Sequence, residues 1–193
     1  MDLREYRATV TLRNGTPAVL RAIRPDDQEA LREGFALLSP STVYHRFFQP
    51  KGQLTDAELR YLTELDFHDH VALVASIQNL AGEFVIGVGR MVRLGAGEAG
   101  VRGQEKPGPR DTAEVAFVVG DDFQGLGVAT QLLSHLAAIA RGLGIRTLTA
   151  EVLGDNKAML AVFAHSGLPL TQRVIDGVIH VEMALPDGPA PGA

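Results

Sequence analysis

Residues 122–133 read Asp-Phe-Gln-Gly-Leu-Gly-Val-Ala-Thr-Gln-Leu-Leu, between an apolar run and what reads as the first turns of a helix. Gly125 and Gly127 allow the backbone to approach a ligand closely, and the first amides of a following helix point outward with partial positive charge. Such a loop binds phosphate, although glycine before a helix is also a common plain turn. The nucleotide versions fail on named positions. A Walker A loop ends in Gly-Lys-Ser/Thr and this loop holds no lysine; a dinucleotide fingerprint needs a third glycine where Thr130 stands. A second chemical candidate is Glu114, just ahead of the run Val115 to Val119. Strand alternation puts Glu114 and Ala116 on one face and Val115 and Phe117 on the other. Position alone reads more simply as a surface or ion-paired glutamate at the end of a long loop. His68, Asp69 and His70 set one carboxylate between two imidazoles without a further ligand, so they read as a loop entering a strand and no metal site is expected.

These groups need a scaffold. The 193 residues suit one domain, and 46% hydrophobic content with mean hydropathy +0.07 is that of a globular chain. Runs such as Val71 to Ala75 are too short to cross a bilayer, and Met1 to Glu5 lack the regions of a signal peptide, so no membrane contact and a cytoplasmic location are expected. The absence of cysteine excludes disulfides, thiolate metal sites and an acyl-cysteine intermediate. A net charge of -5 gives no footprint for nucleic acid and suits a cationic substrate better.

Along the chain, Asn14-Gly15 predicts a hairpin within residues 1–23. A helix is expected from Pro25 through Leu38, ended by Ser39-Pro40, then a short helix over 41–48 and a third over 56–64 behind the capping box Thr55-x-x-Glu58. Strands are predicted over 70–78, 83–94, 114–119 and 146–153, and helices over 125–141 and 157–165, the last closed by Ser166-Gly167. Asp176-Gly177 predicts a second hairpin, between strands over 170–175 and 178–185. Residues 95–110 read as a mobile loop and 186–193 as a disordered tail. The result is one domain over 1–185 of mixed α/β (α+β) class, antiparallel meanders around a parallel pair formed by the runs at Glu114 and Arg146.

Gln124, Gly127 and Ala129 meet the pattern Gln/Arg-x-x-Gly-x-Gly/Ala, which resembles the pyrophosphate-binding motif of the GNAT superfamily of N-acetyltransferases. Glu151-Val-Leu-Gly-Asp-Asn156 closing a strand, then Met159, Phe163 and Ser166-Gly167-Leu168, and the opening Ile23-Arg24-Pro25-Asp26-Asp27, are similar to the same family over roughly Arg21 to Leu185. Leu38-Ser-Pro-Ser-Thr-Val-Tyr44-His-Arg46-Phe47-Phe48 with Ala113-Glu114-Val-Ala-Phe117 resembles more closely the bacterial protein-lysine acetyltransferases of the Pat type. Those proteins are often fused to a cyclic-nucleotide-binding or acyl-CoA-synthetase-like region, and 193 residues leave room for neither, so a catalytic domain standing alone is expected.

The resemblance implies a GNAT fold whose central parallel pair splays, with acetyl-CoA as cosubstrate and no metal. It places Gly125, Leu126, Gly127, Val128, Ala129 and Thr130 at the pyrophosphate, behind Gln124. Phe117, Val118 and Val119 would lie along the pantetheine arm, one amide of Phe117 or Val118 polarising the thioester carbonyl. Asn156 would hold the pantetheine or simply cap its helix. Glu114 is implied as the general base, and Tyr44 and Arg46 as shaping the acceptor side, with Phe47 or Phe48 in the core. The implied acceptor is a lysine of a protein, an acyl-CoA synthetase among the candidates. The alternatives are a small amine (polyamine, aminoglycoside or amino acid) or a non-catalytic CoA-binding sensor, and the oligomeric state stays open between monomer and homodimer. One position departs from the family. Many members carry a tyrosine where Phe163 stands, to protonate the leaving thiolate, and His165 and Ser166 nearby read as turn residues.

Overall fold

A computed structural model describes residues 2–80, 82–95 and 109–186. Most of the expected mobile loop (96–108) and the expected disordered tail from 187 onward lie outside the described residues. The strands are β1 (Arg7–Thr11), β2 (Pro17–Ala22), β3 (His70–Asn79), β4 (Gly82–Arg93), β5 (Thr112–Val119), β6 (Thr147–Leu153), β7 (Leu170–Ile175) and β8 (Val178–Ala184). The helices are α1 (Gln28–Ala36), α2 (Pro40–Phe47), α3 (Asp56–Thr63), α4 (Val128–Gly142) and α5 (Lys157–Ala164). The strands form one sheet in the order β1-β2-β3-β4-β5-β6-β8-β7. β5 and β6 run parallel; the remaining neighbours are antiparallel.

Helices cover both faces of the middle of the sheet. Leu132, Leu133, Leu136, Ile139 and Ala140 recur along one stripe of α4 and are buried against Val71, Leu73, Met91, Val115 and Leu148. Each large side chain removed from water there contributes roughly 1.5–3 kcal/mol. On the opposite face α1, α2 and α3 close over Phe35, Val43, Leu54 and Leu59. β3 is consequently buried on both sides from His70 to Ser76, which explains its unbroken apolar run where a half-exposed strand would alternate.

Three boundaries differ from the sequence reading. Pro25–Asp27 is a separate 3-10 turn ahead of α1, because Asp27 is drawn into a buried bidentate pair with Arg21 at 2.7 and 2.9 Å while accepting from the Arg24 amide at 2.7 Å. Those hydrogen bonds, led by Asp27, hold the Arg21 guanidinium above its usual range. Ser39-Pro40 is a start as well as a stop: Ser39 Oγ accepts from the Thr42 amide and Pro40 takes the first turn of α2, where its missing N–H is harmless. α4 begins at Val128 instead of residue 125, for a reason that belongs to the site.

Candidate active site

β5 and β6 share three rungs, Thr112 with Thr147, Ala113 with Leu148 and Glu114 with Thr149. Beyond them the outer edges stay paired, β5 with β4 to Val119 and β6 with β8 to Leu153, while the inner edges part. The gap opens into a cavity of about 1070 Å³. Its walls are Glu114 to Val119 on one side and Ala150 and Val152 on the other, with the glycine loop at one end and α2 and α5 across it.

The loop starts in a 3-10 turn, Asp121–Phe123. Gly125 (φ 75°) and Gly127 (φ 88°) then take left-handed backbone, which a right-handed helix forbids and a side chain would strain, so helical conformation cannot begin before Val128. The Gln131 amide makes the first bond of the helix, to Gly127 O at 3.0 Å. The amides of Val128, Ala129 and Thr130 precede it and by position have no intrahelical acceptor. Gly125, Gly127, Val128, Ala129 and Thr130 all line the cavity, whereas the Leu126 side chain packs on the core. Gln124 reaches sideways, its Nε2 donating to Thr42 Oγ1 at 3.1 Å and Val119 O at 3.3 Å. Asp121 accepts from Ser39 N (2.9 Å), Ser39 Oγ (2.7 Å) and Thr42 Oγ1 (2.8 Å). Desolvation raises its carboxyl, but these bonds outweigh that and hold it below the usual range. The other end of α2 meets the far wall, His45 Nε2 lying 3.2 Å from Asp155 Oδ1.

On β5, Ala113 and Val115 are buried toward α4, while Ala116 and Val118 line a second, smaller cavity beneath α1 and α2. Glu114 shares their face by alternation and stands at the last rung before the strands part. The Phe117 ring meets Phe163 edge-on at 6.1 Å, and Phe163 is fully buried. Gly89 on β4 makes room for that pair, since a Cβ there would lie 3.0 Å from the Phe117 ring. Asn156 caps α5, its Oδ1 accepting from Met159 N at 3.1 Å, and lines the cavity. Tyr44 is 45% exposed and outside the cavity lining, while Arg46 lies within it. Phe47 packs edge-on to Phe35, and Phe48 is exposed.

Arg46 belongs to a polar cluster that sequence reasoning missed. Burial lowers its guanidinium, opposed chiefly by the Glu114 carboxylate. Arg90, paired with Ala116 across β4 and β5, donates from Nη1 to His70 Nε2 at 2.9 Å and from Nη2 to Leu62 O at 3.3 Å. Burial, then the Arg46 charge, pushes Arg90 down to about 9. Burial, then Arg90, pushes His70 down to about 3, so its ring is neutral with the proton on Nδ1. The available signal was a basic residue inside the apolar run of β4. The neighbouring Asp69 pairs with Arg93 at 2.9 Å and with His68 Nδ1 at 2.9 Å, stabilising the loop before β3. His165 bonds Ala161 O and Ser166 receives the Leu168 amide, both as turn residues.

A left-handed glycine loop feeding a helix beside a splayed parallel pair has a counterpart among known proteins: the Acetyltransferase (GNAT) family profile matches residues 39–168. The chain belongs to the GNAT acetyltransferase family. As a GNAT protein it is an acyltransferase, and the expected splayed mixed sheet is the one observed. Acetyltransferase Pat of Mycolicibacterium smegmatis is 34% identical over 177 residues, 92% of this chain and 48% of that protein, so the chain spans about half the length of that curated relative. The crystal structure of the GNAT domain of S. lividans PAT matches with a TM-score of 0.80 and 41% identity, covering 93% of this chain and 97% of that one. A Salmonella typhimurium protein solved with its cofactor acetyl-CoA shares the fold at TM-score 0.64 and 22% identity, over 91% and 98% of the two chains.

Proposed function

We propose that this GNAT domain transfers an acetyl group from acetyl-CoA to lysine side chains of proteins, with Glu114 as general base and direct attack in a ternary complex. The observation that carries this is the position of Glu114, at the last shared rung of β5 and β6, where the gap opens. The cavity offers first-turn amides at one end and, along its length, inner strand edges that pair with no neighbouring strand, the two kinds of backbone contact a diphosphate and a pantetheine arm would use. The resemblance of the sequence to Pat-type protein-lysine acetyltransferases supports the lysine acceptor, and the structure solved with acetyl-CoA on this fold supports the donor.

Acetyl-CoA supplies the acetyl group as a thioester. The amides of Val128, Ala129 and Thr130, freed by Gly125 and Gly127, hold its diphosphate. Backbone groups of Phe117, Val118 and Val119 pair with the pantetheine arm, and one amide of Phe117 or Val118 polarises the thioester carbonyl. Asn156 lines the arm while capping α5. A lysine with pKa near 10.4 is neutral in only about one molecule in two to three thousand at pH 7, so Glu114, directly or through water, takes its proton before attack. Arg46 shapes the acceptor side, and Tyr44, outside the cavity lining, takes no part in it. Phe163 has no proton to give, and the thiolate, whose pKa lies within about two units of neutral, leaves to water. No helix among the described residues is long and apolar enough to cross a membrane, and the proposed site of action is the cytoplasm.

The test is Glu114→Gln. It should bind acetyl-CoA with unchanged affinity and lose transfer by about 10²–10⁴-fold; transfer at the original rate would remove Glu114 from the base role. Mapping new acetyl-lysines after incubation with acetyl-CoA and lysate tests the acceptor. Consumption of acetyl-CoA by a small amine with no lysine modified would overturn the protein-lysine reading.

A further inference from the structure

The phosphate loop lacks something its ligand needs. Residues 121–130 contain Asp121 and Asp122 and neither lysine nor arginine. Backbone amides at a helix start carry only partial charge, so a diphosphate would meet no cation from the loop itself, with the Asp121 carboxylate in the same cavity lining. A cation arrives from elsewhere in the chain. In the β1–β2 hairpin, Leu12 is buried in the main core, its amide donates to Thr16 O at 2.9 Å, and Gly15 turns at φ 84° with its amide donating to Leu12 O at 2.9 Å. Asn14 Oδ1 accepts from Thr16 N at 3.1 Å. This tight turn delivers Arg13 to the loop, where the Arg13 amide donates to Leu126 O at 3.0 Å and Nη1 donates to Gly125 O at 3.3 Å. A Cβ on Gly127 would lie 3.4 Å from Arg13 Cγ and 3.5 Å from Nε. The other described arginine and lysine in the cavity lining are Arg46, beside Glu114, and Lys157, at the start of α5.

We infer that Arg13 is a donor-binding residue, whose guanidinium turns from Gly125 O to the diphosphate of acetyl-CoA and supplies the full charge that the loop amides lack. The inference rests on the acetyl-CoA reading above. A guanidinium has five donors in a fixed fork, and this side chain commits one to a hydrogen bond among the described residues. Arg13 is exposed and its side-chain hydrogen bond is to a backbone carbonyl, so the turn from carbonyl to phosphate breaks no side-chain pair among the described residues. The hairpin is thus a clamp on the donor as well as the first rung of the sheet.

The experiment compares wild type, Arg13→Ala and Arg13→Lys for CoA and dephospho-CoA affinity by calorimetry, and for KM and kcat with acetyl-CoA and with S-acetyl-pantetheine, which has no phosphate. Arg13→Ala should raise Kd for CoA and KM for acetyl-CoA about tenfold, with kcat held, and Arg13→Lys should recover part of the loss. The penalty should persist with dephospho-CoA; its disappearance there would overturn the diphosphate assignment. An equal loss in kcat/KM with S-acetyl-pantetheine would mean that Arg13 merely shapes the loop, and would overturn the inference. Wild type that binds no CoA would sink the acetyl-CoA reading itself, whereas wild type and Arg13→Ala binding CoA equally would sink the Arg13 assignment alone.

Discussion

The two ends of the cavity are made of different materials. The glycine-loop end is backbone: two left-handed glycines, the first amides of α4 and a carbonyl-anchored hairpin. The Glu114 end is side chain: Glu114 from β5 and Arg46 from α2 line it, and Arg90 from β4 and His70 from β3 stand behind them, outside the cavity lining. Backbone sites are set by local conformation and tolerate many side chains provided the glycines stay. Side-chain sites depend on partners from four elements and on burial that only the whole fold supplies.

This contrast can be broken at either end. The largest effect expected is the loss of transfer in Glu114→Gln, about 10²–10⁴-fold, with donor affinity unmoved. At the other end Gly127→Val forces a β-branched residue to φ 88° and should raise KM for acetyl-CoA by about ten- to a hundredfold, from a strain of about 1–3 kcal/mol. Steady-state kinetics reads both, and a Gly127→Val defect confined to kcat would break the division. His70 tests the side-chain end through pH. Its folded pKa of about 3 lies below the unfolded 6.5, so the unfolded state takes up the proton first. The stability from the neutral ring is complete above about pH 6.5 and is lost as pH falls toward 3. Thermal melts should show Tm falling over that window, and His70→Gln, which can still accept from Arg90, should flatten the slope. The smallest effect expected is for Ser39→Ala, which removes the α2 cap and one bond to Asp121 and should cost about 1 kcal/mol by denaturant titration.

Legibility followed the same division. The glycines at 125 and 127, the hairpin at Asn14-Gly15 and the capping box at Thr55 act through local backbone preference, and a local preference is visible in a window of a few residues. Strand alternation put Glu114 and Ala116 on one face of β5, where they are found. The Arg90–His70 contact was missed: Arg90 stands out as a basic residue in an apolar run and His70 was weighed only beside Asp69, but no window within β4 or β3 shows that their pairing sets the two side chains 2.9 Å apart. Asp27 misled for a related reason: the expected helix began at Pro25 and ran through it, but Arg21, six residues earlier on a different element, claimed its carboxylate. Gln124 was legible as a motif letter, yet its side chain serves α2, a partner some eighty positions away.

Helix α2 is tied at its first turn to the glycine loop through Asp121 and at its last to the opposite wall through His45 and Asp155. Eight residues at 1.5 Å each make a rod of about 12 Å, too short to bend and held at both tips. Arg46 rides on that rod, beside Glu114. Any displacement of the loop would therefore reach Arg46 as a rigid-body tilt, and linkage would make the coupling between the two ends mutual.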